Sequence, residues 1–302
     1  MKSTILPAPL KPGDLLRVIA PSGALREFDA FNRSIELWRS RGYRVEISSN
    51  IEQSWGYLAD KDEFRCHQLA AAWQDPNCRG ILCARGGFGS TRILESWDWQ
   101  NNATDPKWLI GFSDITALLW SLYNVGIASV HGPVLTTFAN EPDWSITRLF
   151  NWVEGRPIDT LKGCGWGGGV ATGILLPGNL TVATHLFNTK FQPDFEDVIL
   201  AFEDVTEAPY RIDRMLTQWR LSGVLSKVKG IALGGFTRCE PPPNVPSFSV
   251  EEVLRDRLGD LGIPIVSDLP FGHGEENAAL PVGVKVILDG DRGILDVLQN
   301  NS

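Results

Sequence analysis

Cysteine is sparse and unpatterned in this chain. Cys66, Cys78, Cys83, Cys164 and Cys239 form an odd set with no C-x-x-C spacing, which suits neither a disulfide framework nor a zinc site and leaves reduced, structural thiols. Long hydrophobic runs are missing too: no uncharged apolar stretch approaches the ~18 residues a membrane helix needs. The opening segment, MKSTILPAPLKPGD, has an early lysine but is broken by Pro7, Pro9 and Pro12, so it lacks the apolar core of a signal peptide and a cytoplasmic protein is expected. Positive charge is in deficit, with 28 Lys and Arg against 36 Asp and Glu and a net charge of -8. With no basic run interleaved with aromatics, neither nucleic acid nor a membrane is an expected partner. Hydrophobic residues at 43% and charged residues at 21% are ordinary for a folded protein, and 302 residues predict two domains.

The first half alternates strand-like and helical patterns. LLRVIA (15–20), EFDAFNRSIELWRSRG and YRVEIS (43–48) read as a βαβ unit. DKDEFRCHQLAAAWQDP reads as a helix capped by Asp60, with Glu63 three residues on and Pro76 after its end. RGILCA (79–84) is a strand, RGGFGS (85–90) a loop, TRILESW a short helix, and WLIGFSDITALLW (108–120) a strand that becomes a helix. ASVHGP is a further short strand. The expected class is α/β: a mainly parallel amino-terminal sheet flanked by helices, occupying residues 1–140. The pattern dissolves over 141–170, where four glycines fall among residues 165–169. A linker is expected there, with a substrate-contacting loop as the other reading. Residues 171–302 read as a second, mixed α/β lobe with β-rich character. It opens with GILLPGNLTVATHLFN as strand, turn and helix, and closes with a hairpin around DGDRG.

Ser113 draws attention because WLIGF delivers it to the carboxyl end of a strand immediately before a helix, the edge where functional groups of parallel sheets gather. G-F-S-D resembles the G-x-S-x-G nucleophile elbow without its last glycine. Helix capping by Ser113 or Asp114 is the competing reading. RGGFGS, also directly after a strand, offers amides of Gly86 or Gly87 that, with the amide of Asp114, suit an oxyanion hole. A tight turn and a phosphate loop are the alternatives, the latter weakened because no G-K-[ST] follows. Of the four histidines, His67 lies on the polar side of a charged helix, and His131 and His185 fit packing or capping. His273, between two glycines in an irregular polar loop, fits a base. Glu203 emerges from the very apolar ILAFEDV strand, where a buried carboxylate requires a partner: His273, or an ion pair with Arg211 or Arg214.

Taken together, ARGGFGSTRIL, IGFSDITALLW, HGP, LPGNLT, LAFEDVTEAPYRIDRMLTQWRLSG and FGHG closely resemble the LD-carboxypeptidase family, serine peptidases of bacterial cell-wall recycling whose relatives include microcin C immunity-type peptidases. The resemblance runs from near residue 13 to near residue 288. It implies a Ser113–Glu203–His273 triad, with the serine in the amino-terminal lobe and the acid and base in the carboxy-terminal lobe, and oxyanion amides from the R-G-G loop and Asp114. It also implies a homodimer without metal or cofactor, and release of D-alanine from murein tetrapeptide in peptidoglycan recycling. Arg85, Arg211 and Arg238 are candidates for binding the substrate's carboxylates. A rival activity within the resemblance is cleavage of peptidyl or aminoacyl adenylates, for which Trp166 could stack the purine. A non-catalytic muropeptide-binding protein is the rival of another class, and a cysteine-dependent amidotransferase is weaker because serine occupies the elbow. Where this chain has Phe88 or Phe112, the family often has tyrosine.

Overall fold

The structure, a computed structural model, describes residues 4–99, 105–241 and 243–298. Two compact units are present. The first takes the chain up to Ile158 together with Ala278–Gly283. Its elements are β1 (Leu15–Ile19), α1 (Phe28–Ser40), β2 (Arg44–Ile47), α2 (Asp62–Gln74), β3 (Cys78–Cys83), α3 (Ser90–Ile93), β4 (Trp108–Gly111), α4 (Thr116–Asn124), β5 (Ser129–His131), α5 (Leu135–Phe138) and α6 (Asp143–Val153). A strand from far along the chain, Leu280–Val282, lies against β5, and the sheet then runs β5, β4, β3, β1, β2. All neighbours are parallel except that added strand.

The central strand β4, WLIG, is buried at every residue, whereas the edge strand β2 buries only Val45. This is the contrast expected between the middle and the margin of a covered parallel sheet. Helix α4 is apolar all round and buries every residue from Thr116 to Tyr123, as a helix sunk in a core does. Each of Leu118, Leu119 and Leu122 contributes roughly 1.5–3 kcal/mol on burial. Their sum exceeds the ~1–3 kcal/mol that one strained backbone residue costs, so this helix can hold an unfavourable conformation at its start.

Several local expectations need correction. Helix α2 begins at Asp62 with no side-chain cap; the Asp60 carboxylate instead accepts from the neighbouring Lys61 amide at 2.8 Å. Residues 141–170 are not a linker: they contain α6 and two short strands.

The second unit comprises Asp159–Asn277 and the chain from Val284. Its elements are β6 (Leu161–Lys162), β7 (Cys164–Gly165), β8 (Val170–Asn179), α7 (Leu180–His185), β9 (Val198–Val205), α8 (Pro209–Leu221), β10 (Gly230–Thr237), α9 (Val250–Leu258) and β11 (Ile265–Ser267). After β12, the Leu280–Val282 strand of the first sheet, come β13 (Lys285–Asp289) and β14 (Ile294–Val297). The eight-stranded sheet has the order β6-β14-β13-β8-β9-β10-β11-β7. Strands β8 to β11 are parallel and the flanking pairs antiparallel. The expected hairpin is β13–β14. Pro242, within the proline cluster, lies outside the described residues.

The glycine run is not slack chain: it lies between and beside paired backbone. A Cβ on Gly165 would lie 2.2 Å from the Gly290 oxygen, and one on Gly168 would lie 2.3 Å from the Ile263 oxygen. These glycines let backbones cross at close range. LPGN is not a turn either, since β8 continues through Pro177 and Gly178 to Asn179. Pro177 is tolerated because β13 pairs β8 only as far as Ile174, so the missing amide falls where one side of the strand is already outside the ladder.

Candidate active site

In the first unit, β4 ends at Gly111, Phe112 is extended, and Ser113 takes φ +62 before a single 3-10 turn, Ser113–Ile115, leads into α4. A left-handed backbone at a non-glycine residue is strained. The turn is tight enough that a Cβ on Gly111 would approach Ile115 to 2.9 Å. The loop after β3 closes over it: a Cβ on Gly86 would lie 3.0 Å from Ser113 Cβ and 3.1 Å from its Oγ. Gly87 has φ +107, a conformation open to glycine and disfavoured for other residues.

Asp114 does more than lend an amide. Its buried carboxylate accepts from Ser22 Oγ at 2.6 Å and from the Ser90 amide at 2.7 Å, while Ser90 Oγ donates to the Asp114 carbonyl. Burial pushes this carboxyl up, and the Ser22 and Ser90 hydrogen bonds pull it back. One side chain thus ties the elbow to the ends of β1 and of the glycine loop. Arg65, fully buried on α2, secures the same loop from below. It donates to the carbonyls of Pro21, Gly89 (2.8 Å) and Asp60 (3.0 Å) and pairs with Asp62.

In the second unit, Glu203 near the end of β9 is fully buried, and its Oε2 lies 2.5 Å from His273 Nδ1. The loop bearing His273 approaches β10 at its glycine pair, where the Gly235 amide donates to the Phe271 carbonyl at 2.9 Å and Gly235 bridges Gly272. Asn179, at the junction of β8 and α7, donates from Nδ2 to Glu203 Oε1 at 3.2 Å and to Asp204 Oδ1 at 3.0 Å. Asp204 also accepts from the amide and hydroxyl of Thr181. Its carboxyl is pushed up to about 6 by burial and by the charge of Glu203, against those hydrogen bonds. The ion-pair alternative for Glu203 is not realised: Arg211 pairs with Glu207, and Arg214 stacks over Tyr210.

The other histidines have ordinary surroundings. His131 is buried edge-on to Phe112, His67 is exposed, and His185 contacts the Thr181 carbonyl within its own helix. Of the proposed substrate contacts, Arg85 is ion-paired to Glu27 at 3.2 Å, Arg211 is exposed near the start of α8, and Arg238 is exposed just beyond β10. Trp166 stands apart. Its amide donates to the Ile265 carbonyl, its indole N–H donates to Ser267, and Arg255 covers its ring at 4.5 Å. Register aligns Ile265 with Ile231 and Leu200, so Trp166 lies about 10 Å short of Glu203 along the strands and roughly 14 Å across them. Among the described residues, no group of three His, Cys, Asp or Glu side chains is placed to hold a metal ion, and no helix is long and apolar enough to cross a membrane.

Sequence reasoning missed Arg65, Asn179 and Asp204. Arg65 left a signal, being a charge on the face that buries Leu69, Ala72 and Trp73. Asn179 was hidden by reading its strand as a turn, and Asp204 by its more prominent neighbour.

Two family models match the chain, the LD-carboxypeptidase N-terminal domain over residues 16–132 and the LD-carboxypeptidase C-terminal domain over 172–288. A Synechocystis protein provisionally named a carboxypeptidase is 58% identical over 297 residues, covering 98% of each chain. The murein tetrapeptide carboxypeptidase of Pseudomonas aeruginosa is 30% identical, covering 91% of this chain and 93% of its own. The crystal structure of muramoyltetrapeptide carboxypeptidase from Oxalobacter formigenes superposes with a TM-score of 0.84 at 29% identity, covering 95% of this chain and all of that one.

Proposed function

Because the chain belongs to the LD-carboxypeptidase family of serine peptidases, we propose that it hydrolyses the L,D-peptide bond that releases the terminal D-alanine of murein tetrapeptide, in cytoplasmic recycling of peptidoglycan. The observation that carries this reading is the buried Glu203 carboxylate held 2.5 Å from His273 Nδ1. With Nδ1–H directed at Glu203, the neutral imidazole carries its lone pair on Nε2, the tautomer a general base needs.

In the proposed reaction, Nε2 of His273 takes the Ser113 proton as Oγ bonds to the scissile carbonyl carbon. The resulting oxyanion is held by the amide of Asp114 and one from Gly86 or Gly87, each donor being worth about 3 kcal/mol of barrier. Collapse breaks the C–N bond, and the imidazolium gives its proton to the departing amine of D-alanine. Water then enters: His273 takes its proton, hydroxide displaces Ser113 from the acyl carbon, and the proton returns to Oγ. Glu203 steadies the imidazolium in both halves. Arg238, exposed at the carboxyl end of β10, is the preferred partner for a substrate carboxylate, since Arg85 and Arg211 already face Glu27 and Glu207. The adenylate reading has less support, because Arg255 lies over the Trp166 ring at 4.5 Å and the indole N–H donates to Ser267.

The test is product analysis on a defined murein tetrapeptide. Stoichiometric D-alanine from the unsubstituted enzyme and none from Ser113→Ala is the expected result; equal turnover by both would overturn the assignment. The proposed homodimer is checked by light scattering on the same sample.

A further inference from the structure

The loop that brings Gly86 to Ser113 also carries Phe88, whose ring meets that of Tyr57 from the turn before α2, and the proposed chemistry leaves both rings unused. Phe88 is 48% exposed and Tyr57 62% exposed, with ring centroids 5.9 Å apart at an interplanar angle of 57°. Trp55, 49% exposed, stands in the same turn as Tyr57, closed by reciprocal backbone hydrogen bonds between Trp55 and Leu58. Single exposed apolar residues are ordinary, but adjoining aromatics on anchored backbone mark a binding surface. The anchoring is explicit. The Gly23 amide donates to the Gly86 carbonyl at 3.0 Å and the next amide, Ala24, to the Tyr57 carbonyl at 3.2 Å. Gly89 is held by Arg65 and Ser90 by Asp114. The backbone on either side of Phe88 and at Tyr57 is therefore tied into the hydrogen-bonded frame that holds the nucleophile's turn.

Reach limits what this pair can serve. Gly86 is in contact range of Ser113 Oγ, and Phe88 is two residues further on, at most about 7 Å of chain. On the carboxypeptidase reading, on which this inference rests for its direction, a single residue leaves, so the remainder of the substrate lies on the acyl side. For a muramoyl tetrapeptide that remainder is three residues, spanning roughly 10 Å when extended, followed by the sugar. We propose that Tyr57 and Phe88 seat the sugar ring of the substrate. The electron-rich faces of the two aromatics meet the C–H face of the pyranose, and the Tyr57 hydroxyl lies within reach of the ring's polar rim.

The experiment measures affinity without turnover. In Ser113→Ala protein, dissociation constants for muramoyl tetrapeptide and for the free tetrapeptide are compared by calorimetry, with and without the added pair Tyr57→Ala and Phe88→Ala. The expected result is preference for the sugar-bearing ligand with the rings present, and a fall in that preference of at least about tenfold without them. An unchanged ratio overturns the proposal, and because it is a ratio, a general loosening of the fold does not imitate the effect. Phe88→Tyr, which keeps the ring, should keep the preference. Failure of the unsubstituted enzyme to release D-alanine would sink the carboxypeptidase reading while leaving the ratio free to establish the sugar seat.

Discussion

Gly272 lies directly over Glu203: a Cβ built on the glycine would come within 2.7 Å of Glu203 Cβ and 2.9 Å of its Oε2, the atom that faces His273. The glycine also has φ +109. Substitution therefore carries both backbone strain and a clash with the acid. Gly272→Ala should lower kcat by roughly 100-fold or more through displacement of the Glu203–His273 pair, with KM changed far less. Steady-state kinetics on tetrapeptide checks the split; a rise in KM at constant kcat would contradict it.

Ser113 holds φ +62 without the freedom of glycine. Ser113→Gly and Ser113→Ala both delete the hydroxyl and should both be inactive, but the glycine variant relieves the strain. It should be more stable than the alanine variant by about 1 kcal/mol, read as a higher midpoint in urea. Equal midpoints would mean that the turn stores no strain.

Arg65 is a buried cation that reaches the carbonyls of Pro21, Asp60 and Gly89 together. Arg65→Ala leaves those acceptors and Asp62 without it and should destabilise the protein by about 3–5 kcal/mol. Arg65→Lys, with its charge kept but its fork lost, should retain most of the fold while lowering kcat, because the loop bearing Gly86 is no longer pinned. Denaturant melts and turnover measured on both variants separate these effects.

Asp204 gives stability a pH dependence of definite sign. Its carboxyl is raised from an ordinary 3.8 to about 6 by burial and by Glu203, so the native state binds this proton more tightly than the unfolded chain. The contribution is full below 3.8 and is lost as pH rises through about 6. Asp204→Asn removes the titration. The stability of the unsubstituted protein relative to this variant should increase on going from pH 7 to pH 4 by roughly 2 kcal/mol. Parallel melting curves that keep a constant separation across that range would refute the account.

The periodic elements were legible because burial wrote them into the sequence. The all-apolar WLIG and ALLW runs are the middle of a covered sheet and a sunken helix, and a lone serine between them stood out. His273 and Glu203 were legible for the complementary reason, each being a polar group in surroundings that demand a partner. What stayed hidden depends on register and on approaches far apart in sequence. Asn179 reaches its two carboxylates only because β8 pairs with β9 in register through Glu203. The glycines of 165–168 looked like slack chain, yet Gly165 meets Gly290 and Gly168 meets Ile263, contacts that no local pattern records.

The strand Leu280–Val282 pairs with β5 through Leu280–His131 and Val282–Ser129, although more than a hundred residues of the second unit intervene. A ribosome therefore finishes nearly all of the carboxy-terminal unit before it emits the piece that covers the margin of the first sheet. Until then β5 waits with an open edge, a template for unwanted pairing with other nascent chains. A gene fragment that stops at residue 158 would inherit that defect permanently, so the two halves of this protein are inseparable in expression even though each has a core of its own.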